Sequence, residues 1–596
     1  MLIHTSIVLA VFGAVGLCKV YEDVADLPRL HYDFVIIGGG TAGTVVANRL
    51  TENPDVSVLV LEAGVSNDGV LLSEVPFLLN SLLGASVYSW NYTTTPQSGL
   101  NGRSIAFPRA YMLGGCSAHN GMVYTRGAAD DFDRYANLTG DDGWSWDGIF
   151  PYFLKHEGWT APADNHDTLG EFNPAIHGTD GPISVSLNGF PWPVFEETVI
   201  QTTKELPDEF PFNLDMNSGQ PLGVSWLQSS IGGGKRSTSV TGYLAPESIW
   251  RPNLHVLLHA QVSKLVNITH NRGKPSFGGV EFKFGSSLFV AHASKEIILS
   301  AGAIGTPHIL LNSGIGAHNT LSALGIPKVV DLPSVGQNAH DHPFFALGWA
   351  VNSTQTLESI TQNATRAAEG LAQWEASHTG PFVDSGIATH IAWLRLRSDS
   401  PAFEVHADPS PGPGAPHLEF LLIPGGGIAG GISTPGVGNF ITIGISLSSP
   451  VSRGSITINS SDAFAPPLID PGFLTSMFDL LALRDGVALA QRFVSAPVWD
   501  GYLGAMTPDL TGLNDAELLA HIRDNVGQSF HIVGTAAMSA RGAPDGVVDP
   551  NLQVKGVAGL SVIDAAVVPI VPAAHTQAIT YAFAERGADL VKRRWA

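Results

Sequence analysis

The chain has 596 residues, 44% of them hydrophobic, and a formal charge of −22. That length supports a large core and more than one domain, and the composition is that of a globular protein and not a disordered one. The acidic balance excludes nucleic acid and anionic membrane surfaces as partners, since both select basic patches.

In chain order, residues 7–17 form a short apolar run. Small residues follow at Gly16-Leu17-Cys18, where a signal peptidase could cut. We read 1–18 as a signal peptide and the protein as secreted, although no Lys or Arg precedes the run. Cleavage there leaves Cys116 as the single cysteine and allows no internal disulfide. Sequons at Asn91, Asn137, Asn267, Asn352, Asn363 and Asn459 fit a glycosylated extracellular protein. No other apolar stretch reaches transmembrane length.

Residues 34–37 are an apolar, β-branched run ending in glycine, which predicts a buried strand entering a tight turn. Gly38, Gly40 and Gly43 then fit G-x-G-x-x-G. The first glycine permits the turn, the second lets backbone approach a pyrophosphate, and the third lets the next helix pack close. Residues 41–50 read as that helix, with its amide end toward the phosphates. A second strand at 57–61 closes on Glu62, placed to accept hydrogen bonds from an adenosine ribose. Strand, glycines, helix, strand and acid occur in order, so the pattern predicts a dinucleotide site.

Residues 70–89 are apolar and turn-rich without clear periodicity. The small residues of 114–118 imply backbone lying close to something flat, followed at once by His119 and Asn120. The segment from Gly143 to Trp159 reads as cover for a substrate domain. Residues 253–262, 280–284 and 297–300 read as strands of the cofactor domain. The Pro/Gly-rich stretches 409–416 and 424–438 suit either an access channel or plain surface loops. An apolar strand at 560–563 ends at Asp564, and the spacing of Ile579, Ala582, Phe583 and Leu590 suits a closing helix over 576–594.

The opening fingerprint together with Leu113-Gly-Gly-Cys-Ser-Ala-His-Asn-Gly121 resembles the glucose–methanol–choline (GMC) family of FAD oxidoreductases. Residues 302–316 match the family's second signature. Further agreement lies at 177–182, 333–338, 451–455 and 467–471, and at His531-Ile-Val-Gly-Thr535 and His575-Thr-Gln577. The likeness runs from about Tyr32 to the C-terminus. It implies an α/β fold: a Rossmann-like FAD-binding domain with a second, α+β substrate-binding domain. We expect the first over 30–110, 225–330 and 545–596, and the second over 111–224 and 331–544.

The resemblance also implies roles. His531 is the base that takes a hydroxyl proton, and His575 is its hydrogen-bonding partner. FAD supplies the hydride acceptor. Histidine suits the task because its ordinary pKa, about 6.5, lies near working pH. Cofactor contacts are expected at Gly38, Gly40, Gly43, Glu62, Ser117, His119, Asn120, Val262 and Asp564. The 115–127 stretch resembles pyranose dehydrogenases, in which the histidine matching His119 is bonded covalently to the flavin. Residues 163–172 and Phe530 resemble aryl-alcohol oxidases instead, which carry an aromatic residue near where this chain has Gly121 and release hydrogen peroxide. A more distant possibility is a redox-silent lyase that cleaves cyanohydrins. The expected activity is oxidation of a sugar or other alcohol, with electrons passed to a quinone-type acceptor, by a monomer. Cys116 reads as a small packed residue. His340 and His342 flank Asp341, but pocket and structural roles suit them better than a metal, and no metal site is expected. No serine nucleophile elbow is present.

Overall fold

The computed structural model describes residues 20–244, 249–426 and 436–596. The expected signal peptide lies outside the described residues, as does most of the 424–438 stretch.

The apolar run after Leu30 becomes the strand His31–Ile37, whose last four residues are buried. It lies between the strands Val58–Leu61 and Ser287–Leu299, parallel to both. Beyond Val58–Leu61 the sheet continues through Leu254–Leu257 to Val20–Tyr21, also parallel. On the other side, Ser287–Leu299 turns back through the long antiparallel strands Lys274–Phe284 and Gln261–Asn271. Leu560–Val562 adds to Ser287–Leu299 and completes an eight-stranded sheet. A parallel core needs helices on its faces, and the helices Thr41–Leu50 and Thr576–Trp595 pack together there.

The predicted helix over 41–50 has those bounds. The strands expected at 280–284 and 297–300 are longer than their apolar cores, because each is extended by a hairpin, the first with Gln261–Asn271 and the second with Lys274–Phe284. The 253–262 stretch breaks into two strands around His259, whose φ is +56°.

A second sheet of seven strands is antiparallel. Its order is Leu503–Thr507, Pro343–Val351, Phe440–Leu447, Leu418–Ile423, His390–Leu394 and Gly223–Trp226, with Gly527–Gln528 beside Pro343–Val351. Its central strands are buried along their whole length. The aromatic segment after Gly143 packs in part on the last helix. Trp144 is fully buried against Phe583 of the last helix, and its indole N–H donates to the Pro550 carbonyl.

Candidate active site

A cavity of about 450 Å3 runs from the glycine turn to the edge of the second sheet. Its cofactor end is built by close backbone approach. A Cβ on Gly43 would lie 1.9 Å from the Gly38 carbonyl oxygen, so only glycine lets the 41–50 helix sit this near the strand. Gly38 needs its freedom for a second reason, a φ of +100°. A Cβ on Gly115 would come within 2.7 Å of the Gly40 Cα. The two glycine loops thus leave a slot floored by backbone. Gly38, Gly40 and Gly115 line it, whereas Gly43 serves packing. The helix has no side-chain cap at Gly40, leaving its first amides available to an anion.

Glu62 closes this end. Its carboxylate accepts backbone N–H bonds from Gly39 and Gly64, each at 2.8 Å. Burial pushes its carboxyl up to about 7 despite those amides. Val262 lines the same end, next to a register shift in its strand. Asp564 accepts from the Gly302 amide, the Thr306 hydroxyl and the Ala566 amide, which fixes the start of the helix Gly302–Asn312 along the cavity.

The loop at 115–121 forms one wall. His119 is 4% exposed, and its Nε2 has no hydrogen-bond partner although the ring lines the cavity. Burial, with the charges of Arg236 and Arg109 adding, holds the imidazole down to about 4. Asn120 also lines the cavity, but its amide is engaged: Nδ2 donates to Gln577, and Oδ1 accepts from Met122 N and from Arg236. The Gln577 Nε2 is left buried and unpartnered at the same wall.

Two expectations for this loop need correction. Ser117 does not line the cavity. Its hydroxyl donates to the Gly114 carbonyl at 2.7 Å and accepts from the Ser239 amide at 3.0 Å, so it ties the loop to the protein behind it. Cys116 is not packed away but exposed along the cavity wall. Where aryl-alcohol oxidases are expected to carry an aromatic residue, this chain has Gly121, whose nearest side-chain neighbours are Ile387 and Leu79. Ile387 fills that space, its Cδ1 lying 2.1 Å from where a Cβ on Gly121 would stand.

The other end holds the two histidines. His531 follows the short strand Gly527–Gln528, and His575 is the residue before the helix Thr576–Trp595. Their rings meet with His531 Nε2 and His575 Nδ1 3.1 Å apart. His575 Nε2 bonds Glu419 Oε1 at 2.6 Å, and His531 Nδ1 faces His342 Nδ1 at 3.0 Å. Asp341 accepts from the backbone amides of both His342 and His531 at 2.7 Å, clamping the two segments together. His340 bridges the Asn338 carbonyl and the Val571 amide, which steadies the approach to His575. Burial drives His531 well below its ordinary value, with the neighbouring His575, His342 and Arg109 adding to the effect, so the ring is neutral at working pH.

Sequence reasoning missed Glu419. It sits in the otherwise apolar strand Leu418–Ile423, and a lone carboxylate in such a run is the signal that could have found it. Among the described residues, no group of three or more His, Cys, Asp or Glu side chains is placed to hold a metal ion.

The match to known families decides the class. A GMC oxidoreductase model matches residues 32–344, and its C-terminal counterpart matches residues 450–584. The chain belongs to the GMC oxidoreductase family. It is 42% identical to the dehydrogenase eriK of Hericium erinaceus, with 96% of each chain covered. It is 40% identical to pyranose dehydrogenase 3 of Leucoagaricus meleagris, covering 97% of this chain and 95% of that one. Among solved structures it resembles formate oxidase of Aspergillus oryzae RIB40, studied for FAD modification. That likeness has a TM-score of 0.86, 28% identity, and coverage of 95% and 98%. A fungal aryl-alcohol oxidase matches with a TM-score of 0.81 at 26% identity, covering 95% of this chain and all of that one.

FAD is therefore the cofactor of this GMC oxidoreductase, and the residues present fit it. The backbone slot at Gly40 and Gly115, the acidic floor at Glu62 and the orphaned nitrogens of His119 and Gln577 occupy one continuous cavity.

Proposed function

We propose that this chain is a secreted sugar dehydrogenase that oxidises a pyranose hydroxyl and passes electrons to a quinone-type acceptor, not to oxygen. The observation that carries this reading is the imidazole pair, 3.1 Å apart, opening on the cavity that holds the glycine slot. Relatives named pyranose dehydrogenase, at 37–40% identity across nearly the whole chain, supply the substrate class. The sequons at Asn91, Asn137, Asn267, Asn352, Asn363 and Asn459 are all exposed, which supports passage through a glycosylating compartment.

In this mechanism FAD, when bound, supplies the hydride acceptor. Gly38, Gly40 and the amide end of the 41–50 helix hold its pyrophosphate, and Glu62 its ribose. Val262 and Asp564 contribute backbone and helix placement, and His119 carries the covalent link. The neutral His531 Nε2 accepts the proton of the substrate hydroxyl, while His575 holds the same oxygen in line. Glu419 behind His575 stabilises the positive charge that the proton brings.

A second reading follows from the wall around the pair. Phe530, Phe344, Ile387 and Leu421 make it largely apolar, which favours an aryl-alcohol oxidase that releases hydrogen peroxide. Anaerobic mixing with a panel of sugars and benzylic alcohols separates the readings. Bleaching by sugars, with steady turnover on quinone and almost none on oxygen, supports the dehydrogenase. Bleaching by benzylic alcohols alone, with peroxide in air, supports the oxidase. A flavin that no alcohol bleaches removes both and leaves the cyanohydrin lyase.

A further inference from the structure

A buried chain of charged groups lies outside the cavity lining and takes no part in the chemistry above. Arg126 and Glu157, both inaccessible to solvent, pair with each other, and the second carboxylate oxygen of Glu157 meets His177 Nδ1. His177 Nε2 bonds Asp215 at 2.8 Å, and Asp215 accepts from the Gln228 side-chain amide at 3.0 Å. The Arg126 guanidinium also donates to the carbonyls of Ile176 and Asn217, at 2.9 and 3.1 Å, and its backbone amide donates to Asn217 Oδ1 at 2.6 Å. Two residues earlier, the Tyr124 hydroxyl sits between His156 Nε2 at 2.9 Å and Glu157 at 3.2 Å. None of these groups lines the cavity. Breaking any one contact would leave a buried charge uncompensated, so the network holds residues 124 and 126 at fixed points.

Side chains alternate along an extended segment, and the residue between these two fixed points turns to the other side. The Thr125 hydroxyl accepts from the His575 backbone amide at 2.7 Å. The same segment meets the two residues that lead into His575: the Asp131 carboxylate accepts from the Ala573 amide at 3.0 Å, and Gly127 stands against Ala574. Thr125 and Asp131 are both buried. His575 is thus held twice, its ring by Glu419 at 2.6 Å and its main chain by Thr125. The two catalytic rings are 3.1 Å apart, near the long end of the hydrogen-bond range, so a backbone shift of about half an ångström separates them.

We propose that Thr125 is a positioning residue for the reaction: it fixes the main chain of His575, and the Arg126–Glu157–His177–Asp215 chain behind it keeps Thr125 in place. The proposal rests on the reading of His531 and His575 as the catalytic pair. The Thr125 hydroxyl touches no reacting atom. It supplies the acceptor for an amide that stands just before the helix Thr576–Trp595 and has no helical carbonyl to donate to. Valine has nearly the shape of threonine but no acceptor. In its place the His575 amide is buried and unpaired, and the segment relaxes toward another acceptor, turning the ring with it. Serine keeps the oxygen and loses only the methyl group.

The test is anaerobic stopped-flow on holoenzyme of matched flavin content, with glucose as substrate, or benzyl alcohol where only benzylic alcohols bleach the flavin. Thr125→Val should lower the limiting rate of flavin reduction roughly 10- to 100-fold, while the half-saturating substrate concentration changes far less. Thr125→Ser should recover most of the rate. An unmoved limiting rate in Thr125→Val overturns the proposal, and so does a Thr125→Ser variant as slow as the valine one, which would assign the loss to packing. Hydrogen exchange on the unaltered holoenzyme, labelled with 15N-histidine, gives a second reading that needs no variant. The His575 backbone amide should be strongly protected, and fast exchange there overturns the proposal even where Thr125→Val fails to fold. Normal flavin reduction in His575→Ala removes the catalytic pair beneath the proposal, whereas a slow His575→Ala beside a normal Thr125→Val sinks the positioning role alone.

Discussion

At the scale of the residue, His119 concentrates most of the cofactor question. Its lone nitrogen is buried without a partner, and its surroundings keep the ring neutral and nucleophilic at working pH. The guanidinium behind it, Arg236, is 3% exposed and bonds the Ser73 carbonyl and Asn120, which fixes the 119–121 turn from below. If His119 carries the flavin, acid precipitation leaves the yellow colour in the protein pellet, and His119→Ala releases it to the supernatant. Free flavin from the unmodified protein refutes the covalent link. Ile387 occupies the room beside Gly121, so Ile387→Ala should open the wall and raise kcat/KM for bulky aryl alcohols relative to glucose. An unchanged ratio would mean that the substrate binds elsewhere along the cavity.

At the scale of the element, the C-terminal helix Thr576–Trp595 ties the cofactor end to the catalytic end. Its first residues follow His575, and its middle carries Glu585, a buried carboxylate. Arg49 of the 41–50 helix meets Glu585 in a two-pronged pair at 2.7–3.0 Å, and Tyr243 and Lys155 add contacts at 2.7 and 2.9 Å. The helix that follows the glycine turn is thereby fixed to the helix that follows His575. Removing Glu585 takes a buried carboxylate from between Arg49 and Lys155 and leaves Arg49 with Glu52 alone. Glu585→Leu should therefore lower the thermal midpoint and loosen flavin retention together. Loss of stability with full flavin retention would separate the two helices' roles. The 409–416 stretch, by contrast, is a packed surface strap. Asp130 accepts from the Gly414 amide, Arg134 and Arg395 donate to carbonyls of the loop, and none of its residues lines the cavity.

At the scale of the whole molecule, the buried titratable groups set the response to acid. His119, His156 and His308 are held at about 4, and His342 and His390 at about 3, in each case chiefly by burial. Their depressed values contribute stability above their ordinary pKa near 6.5 that is lost as the pH falls toward the folded value. Glu62, Glu196 and Asp384 are raised to about 7, and Asp341 and Asp564 to about 6, mainly by desolvation. These have the opposite sign: their contribution is complete below the ordinary carboxyl value near 4 and is lost as the pH rises through the folded one. Between pH 7 and 5 the two sets oppose each other. Below pH 4 the raised carboxyls add nothing more, while the histidines keep costing. Partnered carboxyls such as Asp408, held at about 2, begin to lose their bonds there as well. The thermal midpoint should change little from pH 7 to 5 and drop steeply below 4. A steady decline starting at pH 7 would show that the histidines act without that opposition.

Much of this was legible in the chain itself. The strand, glycine turn and helix at 31–50 depend on short-range sterics, on residues that tolerate close backbone approach, and so could be read locally. The family motifs likewise singled out His119, His531 and His575, which the fold brings to one cavity. Periodicity could not show that two histidines 44 residues apart share a contact, nor that Glu419 and His342 stand behind them from different strands and loops. Nor could it tell that Ser117 turns inward while Cys116 faces the cavity. Local backbone preference and composition are properties of neighbouring residues. Which side chains meet across a cavity is settled by how the two sheets and the last helix pack, and only the tertiary structure contains those long-range distances.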